Sequence, residues 1–188
     1  MKKIIEISGK TIPLAMNDVD TDLIIPAQHL TAVSRDGYGP YLFQRLRTNP
    51  DFIFNKAEFK NSNILITQKD FGCGSSREHA VWALQQAGIE AIIAISFSDI
   101  FFSNSAKNGL VLITLPESAI KNMLEQANSG NYNLLINLES EKIISNKNEE
   151  FNFKINPFHK YCFINGLDEL DYLLSNKSKI NKFKGKIL

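Results

Sequence analysis

Cysteine is nearly absent from this chain: its 188 residues include only Cys73 and Cys162. They are too few and too far apart for a disulfide framework or a zinc knuckle, and a reducing, cytoplasmic setting is expected. Histidine is scarce as well. His29, His79 and His159 fall in three separate segments, so no metal site is expected from this chain alone. Long apolar runs are missing: none approaches the ~18 residues of a membrane span, and Glu6, Ser8, Gly9 and Lys10 interrupt any secretory h-region. Charge of one sign is also missing. With 21 Lys+Arg against 20 Asp+Glu, no overall field would gather nucleic acid or an anionic membrane. Only residues 177–188 are one-sided, carrying Lys177, Lys179, Lys182, Lys184 and Lys186 without an acid, and a solvated basic tail is expected there.

What remains is an ordinary globular composition, 44% hydrophobic and 22% charged. Residues 1–188 read as one domain. Ile4 to Ile7 and Thr11 to Leu14 suggest two short strands around Gly9, and "NDVDTDLIIP" a polar turn before an apolar run stopped by Pro26. Residues 27–60 lack periodicity and are rich in Gly, Pro and aromatics, which suggests a mobile, substrate-side loop region. From "NILITQKD" onward the pattern is strand, helix, strand, helix, strand, helix, with helices expected over Ser76 to Ala87, over "SDIFFSNSAKNG" and over "PESAIKNMLEQANSG". That alternation implies a parallel α/β layer. "YNLLINLES", "EKIISNK" and "EFNFKIN" then suggest an antiparallel meander, followed by two helices around Gly166.

The chemistry gathers in "DFGCGSSREHAVWAL". A strand, a glycine turn and a helix leave outward-pointing N–H groups backed by the positive end of the helix dipole, a seat for an anion. Gly72 and Gly74 permit close backbone approach, and Ser75 with Glu78 fits an S-x-x-E capping box. Arginine is rare here, with Arg35, Arg45, Arg47 and Arg77 against 17 lysines. An arginine placed in such a turn suits a carboxylate, which its planar fork grips with two bonds. A serine hydroxyl held among N–H groups could have its alkoxide stabilised and serve as a base. Cys73 reads as a small buried residue rather than a nucleophile, because no Cys/His/Asp order accompanies it. His79 reads as a packing or supporting residue.

"DFGCGSSREHAVWAL", "NDVDTDLIIPAQHL", "FFSNSAKNGL" and "CFINGLDEL" resemble, in order and over residues 10–174, the small subunits of 3-isopropylmalate dehydratase in the aconitase superfamily. The resemblance implies the superfamily's swivelling β/β/α domain, a mixed sheet or barrel flanked by helices. It also implies a large partner subunit carrying a [4Fe-4S] cluster, with no cofactor bound by this chain. The reaction implied is the interconversion of 2-isopropylmalate and 3-isopropylmalate, by dehydration and rehydration, in leucine biosynthesis. Ser75 would be the base, and Ser76 and Arg77 would hold a carboxylate of the 2-hydroxy dicarboxylate substrate. Arg35, Gly37 and Tyr38 map onto the family's substrate-recognition loop, while Gly74, Glu78, His79 and the turn Asp20, Thr21 and Asp22 would support the site.

Two departures stand out. Asp36 replaces the usual threonine of the recognition loop, and "FHKYC" replaces a more arginine-rich run. Related hydratases of methylmalate/citraconate or homocitrate remain open on Asp36, as does a free-standing dicarboxylate-binding module. The bottom-up reading agrees on the division of labour: a four-iron cluster needs about three or four cysteine ligands, so two distant cysteines leave that role to a second chain.

Overall fold

The computed structural model describes residues 1–30 and 35–184. Among these, seven strands form one mixed sheet in the order β4-β3-β2-β1-β5-β6-β7, bearing out the expected α/β class. Strands β2 (Ile64–Thr67), β3 (Ala91–Ala94) and β4 (Val111–Thr114) run parallel beside β1 (Glu6–Leu14), and β5 (Asn133–Asn137), β6 (Lys142–Ser145) and β7 (Glu150–Asn152) form the antiparallel meander.

Strand β1 is the seam between the halves. Its first part, Glu6 to Lys10, pairs antiparallel with β5, and its second part, Thr11 to Leu14, pairs parallel with β2. The two short strands expected around Gly9 are therefore one nine-residue strand. Gly9 does not break it; it lets Asn63 approach, since an added Cβ would sit 1.8 Å from Asn63 Oδ1.

Alternation assigns the two faces of the parallel layer. Ile12, Leu14, Leu65, Ile92 and Leu112 face a core shared with α2 (Glu78–Gln86), α3 (Asp99–Asn108) and the aromatics of residues 38–59. Ile64, Ile66, Ile93, Val111 and Ile113 face the other core, with α4 (Glu117–Ala127) and the meander. Helices α3 and α5 (Pro157–Asn165) end where Gly109 and Gly166 adopt left-handed φ values of 81° and 69°, the usual exit from a helix.

Three local expectations change. "NDVDTDLIIP" is not only a turn: Asp20 accepts from the Leu23 N–H at 2.7 Å and caps a short helix, α1 (Thr21–Ile24). Residues 27–30 and 35–60 contain five 3-10 turns, and Tyr38, Leu42, Phe43 and Phe59 are buried in the first core; positions 31–34 of that region lie outside the described residues. Beyond α6 (Glu169–Ser175), where a solvated basic tail is expected, the chain continues as helix α7 (Lys177–Lys184). The remainder of the basic tail, with Lys186, lies outside the described residues.

Candidate active site

The turn from Asp70 to Arg77 leaves the carboxyl end of β2, where ligands of open α/β sheets bind. Backbone and side-chain bonds sew it between the segments that follow β1 and β3. On the β1 side, the Gly72 N–H donates to Val19 O at 2.8 Å and the Thr21 N–H to Cys73 O at 2.9 Å. On the β3 side, the Ser98 hydroxyl donates to Gly72 O at 2.6 Å, and the Asp70 N–H donates to Ser96 Oγ at 2.9 Å. The Ser96 hydroxyl returns a bond to Asp70 Oδ1 at 2.8 Å. Asp70, Gly72 and Gly74 all have left-handed φ, at 54°, 79° and 89°, so the chain reverses tightly and throws the next residues outward. Sequence reading missed Asp70, Ser96 and Ser98. Only Ser98 carried a local signal, as the N-cap of α3.

Ser75 and Ser76 lie on open surface, and neither hydroxyl is engaged among the described residues. The Ser75 carbonyl accepts from the Thr21 hydroxyl at 3.0 Å, so α1 fixes the backbone of Ser75 and leaves its Oγ free. No backbone N–H from Gly74 through His79 donates to an acceptor among the described residues. These unpaired groups stand at the start of a nine-residue helix, the kind of place where the helix dipole favours an anion.

The capping box is corrected. Helix α2 starts at Glu78, its N-cap is Arg77 in extended conformation, and no side chain caps it. Glu78 instead accepts from Asn108 Nδ2 at 2.7 Å, while Asn108 Oδ1 accepts from Trp82 Nε1 at 3.0 Å. Together these tie α2 to the last turn of α3. Ser75 is thereby released from capping and left to face solvent.

Arg77 is half-buried, with 18% of its side chain exposed, and it pairs with the Asp22 carboxylate. That hydrogen bond, with the charges of Arg77 and Arg45 behind it, holds Asp22 below the usual carboxylate range against the opposing pull of burial. One guanidinium nitrogen is engaged this way, and the fork keeps further donors for a ligand. Thus Asp20, Thr21 and Asp22 all meet the turn: one caps α1, one holds the Ser75 backbone and one orients Arg77.

Cys73 is half-buried rather than buried. Burial raises its thiol pKa, and Asp20 and Asp18 raise it further, so it is a neutral thiol and a poor nucleophile.

The recognition-loop residues lie across α2 rather than over the Ser75 turn. The Arg35 guanidinium sits 5.3 Å from the Trp82 ring centroid, and Gly37 is exposed with φ 93°. Tyr38, expected to meet a ligand, is only 2% exposed. Its ring packs edge-on against His79 at 5.2 Å and against Trp82 at 5.8 Å. His79 is accordingly a packing residue between Tyr38 and Trp82, whose ring centroid is 4.8 Å away. Arg47, by contrast, is turned to holding its own segment: it donates to Leu42 O and Phe54 O and lies over the Phe54 ring.

A cavity of about 200 Å3 opens toward the far end of α2, lined by residues including Lys3, Gln85, Glu90 and Asn108; the Ser75 turn is not part of it. No three of His, Cys, Asp and Glu gather as a metal site among the described residues; Cys73 lies in the turn before α2 and Cys162 on α5. This chain's side chains therefore do not fit an iron–sulfur cluster, which takes about three or four thiolates.

Comparison with known proteins gives a consistent picture. The aconitase C-terminal domain family matches residues 1–118. The 3-isopropylmalate dehydratase small subunit of Francisella tularensis subsp. novicida is 47% identical over 180 residues, covering 95% of each chain. That of Polaromonas naphthalenivorans is 42% identical over 204 residues, covering 100% of this chain and 94% of its own. A crystal structure of 3-isopropylmalate dehydratase from Methanocaldococcus jannaschii superposes with a TM-score of 0.72 at 28% identity, over 95% of this chain and 99% of that one.

Proposed function

Because the chain belongs to the family of 3-isopropylmalate dehydratase small subunits, we propose that the Ser75 turn is its half of the active site. The protein is the small subunit of the hydro-lyase that interconverts 2-isopropylmalate and 3-isopropylmalate in leucine biosynthesis. The observation that carries the site is the turn's open chemistry: two unengaged hydroxyls, Ser75 and Ser76, beside unpaired N–H groups and the Arg77 fork, all on exposed or half-exposed surface.

Ser75 Oγ, as the alkoxide, takes the proton from the substrate carbon. The electron pair left behind forms the alkene as hydroxyl departs from the neighbouring carbon, and Ser75 returns the proton when water adds in the reverse sense. The N–H groups and helix dipole lower the cost of the alkoxide, which an isolated serine could not sustain at neutral pH. Arg77 and Ser76 hold a substrate carboxylate, with Asp22 keeping the guanidinium oriented and the unused edge of its fork free. Arg35 and Gly37 meet the variable end of the substrate, and Tyr38 fixes that loop from beneath.

A [4Fe-4S] cluster belongs, in this reading, to the large subunit, where it supplies Lewis-acid chemistry. The Ser75 turn lies on open surface, so the same partner is needed to close the site and exclude water. The chain should be inactive alone, and the assembly should work in the cytoplasm, where unbridged cysteines stay reduced. No helix among the described residues is long and apolar enough to cross a membrane.

The test is reconstitution with the large subunit and an assay of isopropylmalate interconversion. Ser75→Ala should assemble normally and lose turnover by at least ~10²-fold, the low end of a general-base contribution. Retained turnover would remove Ser75 from the role of base.

A further inference from the structure

Helix α2 touches the two halves of the proposed site at opposite ends. Its N-terminus carries the Ser75 turn, and its last residue, Gln86, reaches the recognition loop. There the Gln86 carboxamide makes two backbone bonds at once: Nε2 donates to Arg35 O at 2.6 Å, and Oε1 accepts from the Tyr38 N–H at 2.7 Å. A side-chain amide has one donor group and one acceptor on the same plane, so this two-point contact brackets Arg35, Asp36, Gly37 and Tyr38 as one unit.

Independent features press the loop onto the same spot. An added Cβ on Gly39 would sit 2.8 Å from the Gln86 carbonyl carbon and oxygen, so only glycine lets the chain lie directly on the end of α2. The Tyr38 ring is buried against His79 and Trp82, and the Arg35 guanidinium lies over Trp82. A nine-residue helix spans ~13 Å. Its two ends thus set a fixed distance between the Ser75–Arg77 turn and the loop clamp.

The geometry points to Gln86 as the positioning residue of the recognition loop: it clamps the backbone on both sides of Asp36 and Gly37 and so presents Arg35 at a set distance from the proton-transfer turn. This rests on the reading given above that the Arg35 loop meets the variable end of the substrate. Gln86 itself touches no substrate. Its side chain is exposed, so its loss should cost the fold little.

The test uses the reconstituted two-subunit enzyme with Gln86→Met, which keeps length and loses both bonds, and Gln86→Glu, which keeps only the acceptor facing the Tyr38 N–H. Gln86→Met should raise the KM for 3-isopropylmalate about tenfold, equivalent to ~1.4 kcal/mol, with kcat within about twofold. Gln86→Glu should fall between wild type and Gln86→Met. In the same preparations, hydrogen exchange at the Tyr38 amide should quicken in Gln86→Met and stay close to wild type in Gln86→Glu. An unchanged KM in Gln86→Met, a loss confined to kcat, or undiminished Tyr38 protection would each overturn the assignment. A wild-type complex that turns over no isopropylmalate would instead defeat the functional reading, and the exchange measurement would still decide whether the clamp exists.

Discussion

Gly72 offers a sharp test of how the Ser75 turn is built. An alanine Cβ there would lie 2.2 Å from Phe101 Cγ and 2.6 Å from Phe101 Cβ, and Phe101 is a core side chain only 2% exposed. The ring has no free space to swing into, so the turn or α3 must shift. Overpacking of this kind costs about 1–3 kcal/mol, and the left-handed φ of 79° adds about 1–2 kcal/mol for a residue with a Cβ. Gly72→Ala should therefore lose about 2–5 kcal/mol of the ~5–15 kcal/mol expected for a domain. Gly74→Ala is the internal control. Its φ is 89°, but the nearest atom to an added Cβ is Asp20 Cβ at 3.5 Å, an ordinary contact, so only the ~1–2 kcal/mol backbone term applies. Urea unfolding of the two variants and wild type should show Gly72→Ala less stable than Gly74→Ala by about 1–3 kcal/mol. Equal losses in the two would refute the claim that Phe101 sets the glycine requirement at position 72.

Two further outcomes are expected. Arg77→Lys should raise KM and lower kcat in the reconstituted enzyme, because a lysine cannot serve Asp22 and a substrate carboxylate with one planar fork; wild-type kinetics in that variant would take Arg77 out of the site. Tyr132 is fully buried, and burial together with its hydrogen bond to Glu149 at 2.8 Å pushes its phenol pKa well above the usual value. A raised folded pKa means its stabilising contribution is complete below the unfolded value of about 10 and is lost as pH rises beyond it. Wild type should lose stability relative to Tyr132→Phe by up to about 1.4 kcal/mol per pH unit above pH ~10, and thermal melts of both from pH 8 to 12 that run parallel would contradict this.

Much of the fold was legible from local pattern. Alternating buried strands, helices ending at Gly109 and Gly166, and the polar turns of the meander all follow from contacts within a few residues of chain. The Ser75 turn was legible as a strand–glycine–helix junction for the same reason. The long β1 was not. Its continuity through Gly9 depends on Asn63, distant in sequence, and on two different partner strands. Likewise, the burial of Tyr38 reflects packing against His79 and Trp82, which local sequence around "SRDGYG" cannot encode.

The sequence by itself determined the chemistry available: which hydroxyls, glycines and arginines occur together at one helix start, and that two cysteines are too few to ligate a four-iron cluster. Tertiary structure alone decided how that chemistry is deployed. It moved the start of α2 to Glu78 and freed Ser75, gave Arg77 to Asp22, and hung the Arg35 loop from Gln86 at the opposite end of the same helix. The physical reason is that each of these is a pairing between groups far apart in the chain. Local propensity fixes backbone conformation over a turn or two, whereas such pairings exist only once the sheet has brought the loops after β1, β2 and β3 to one edge.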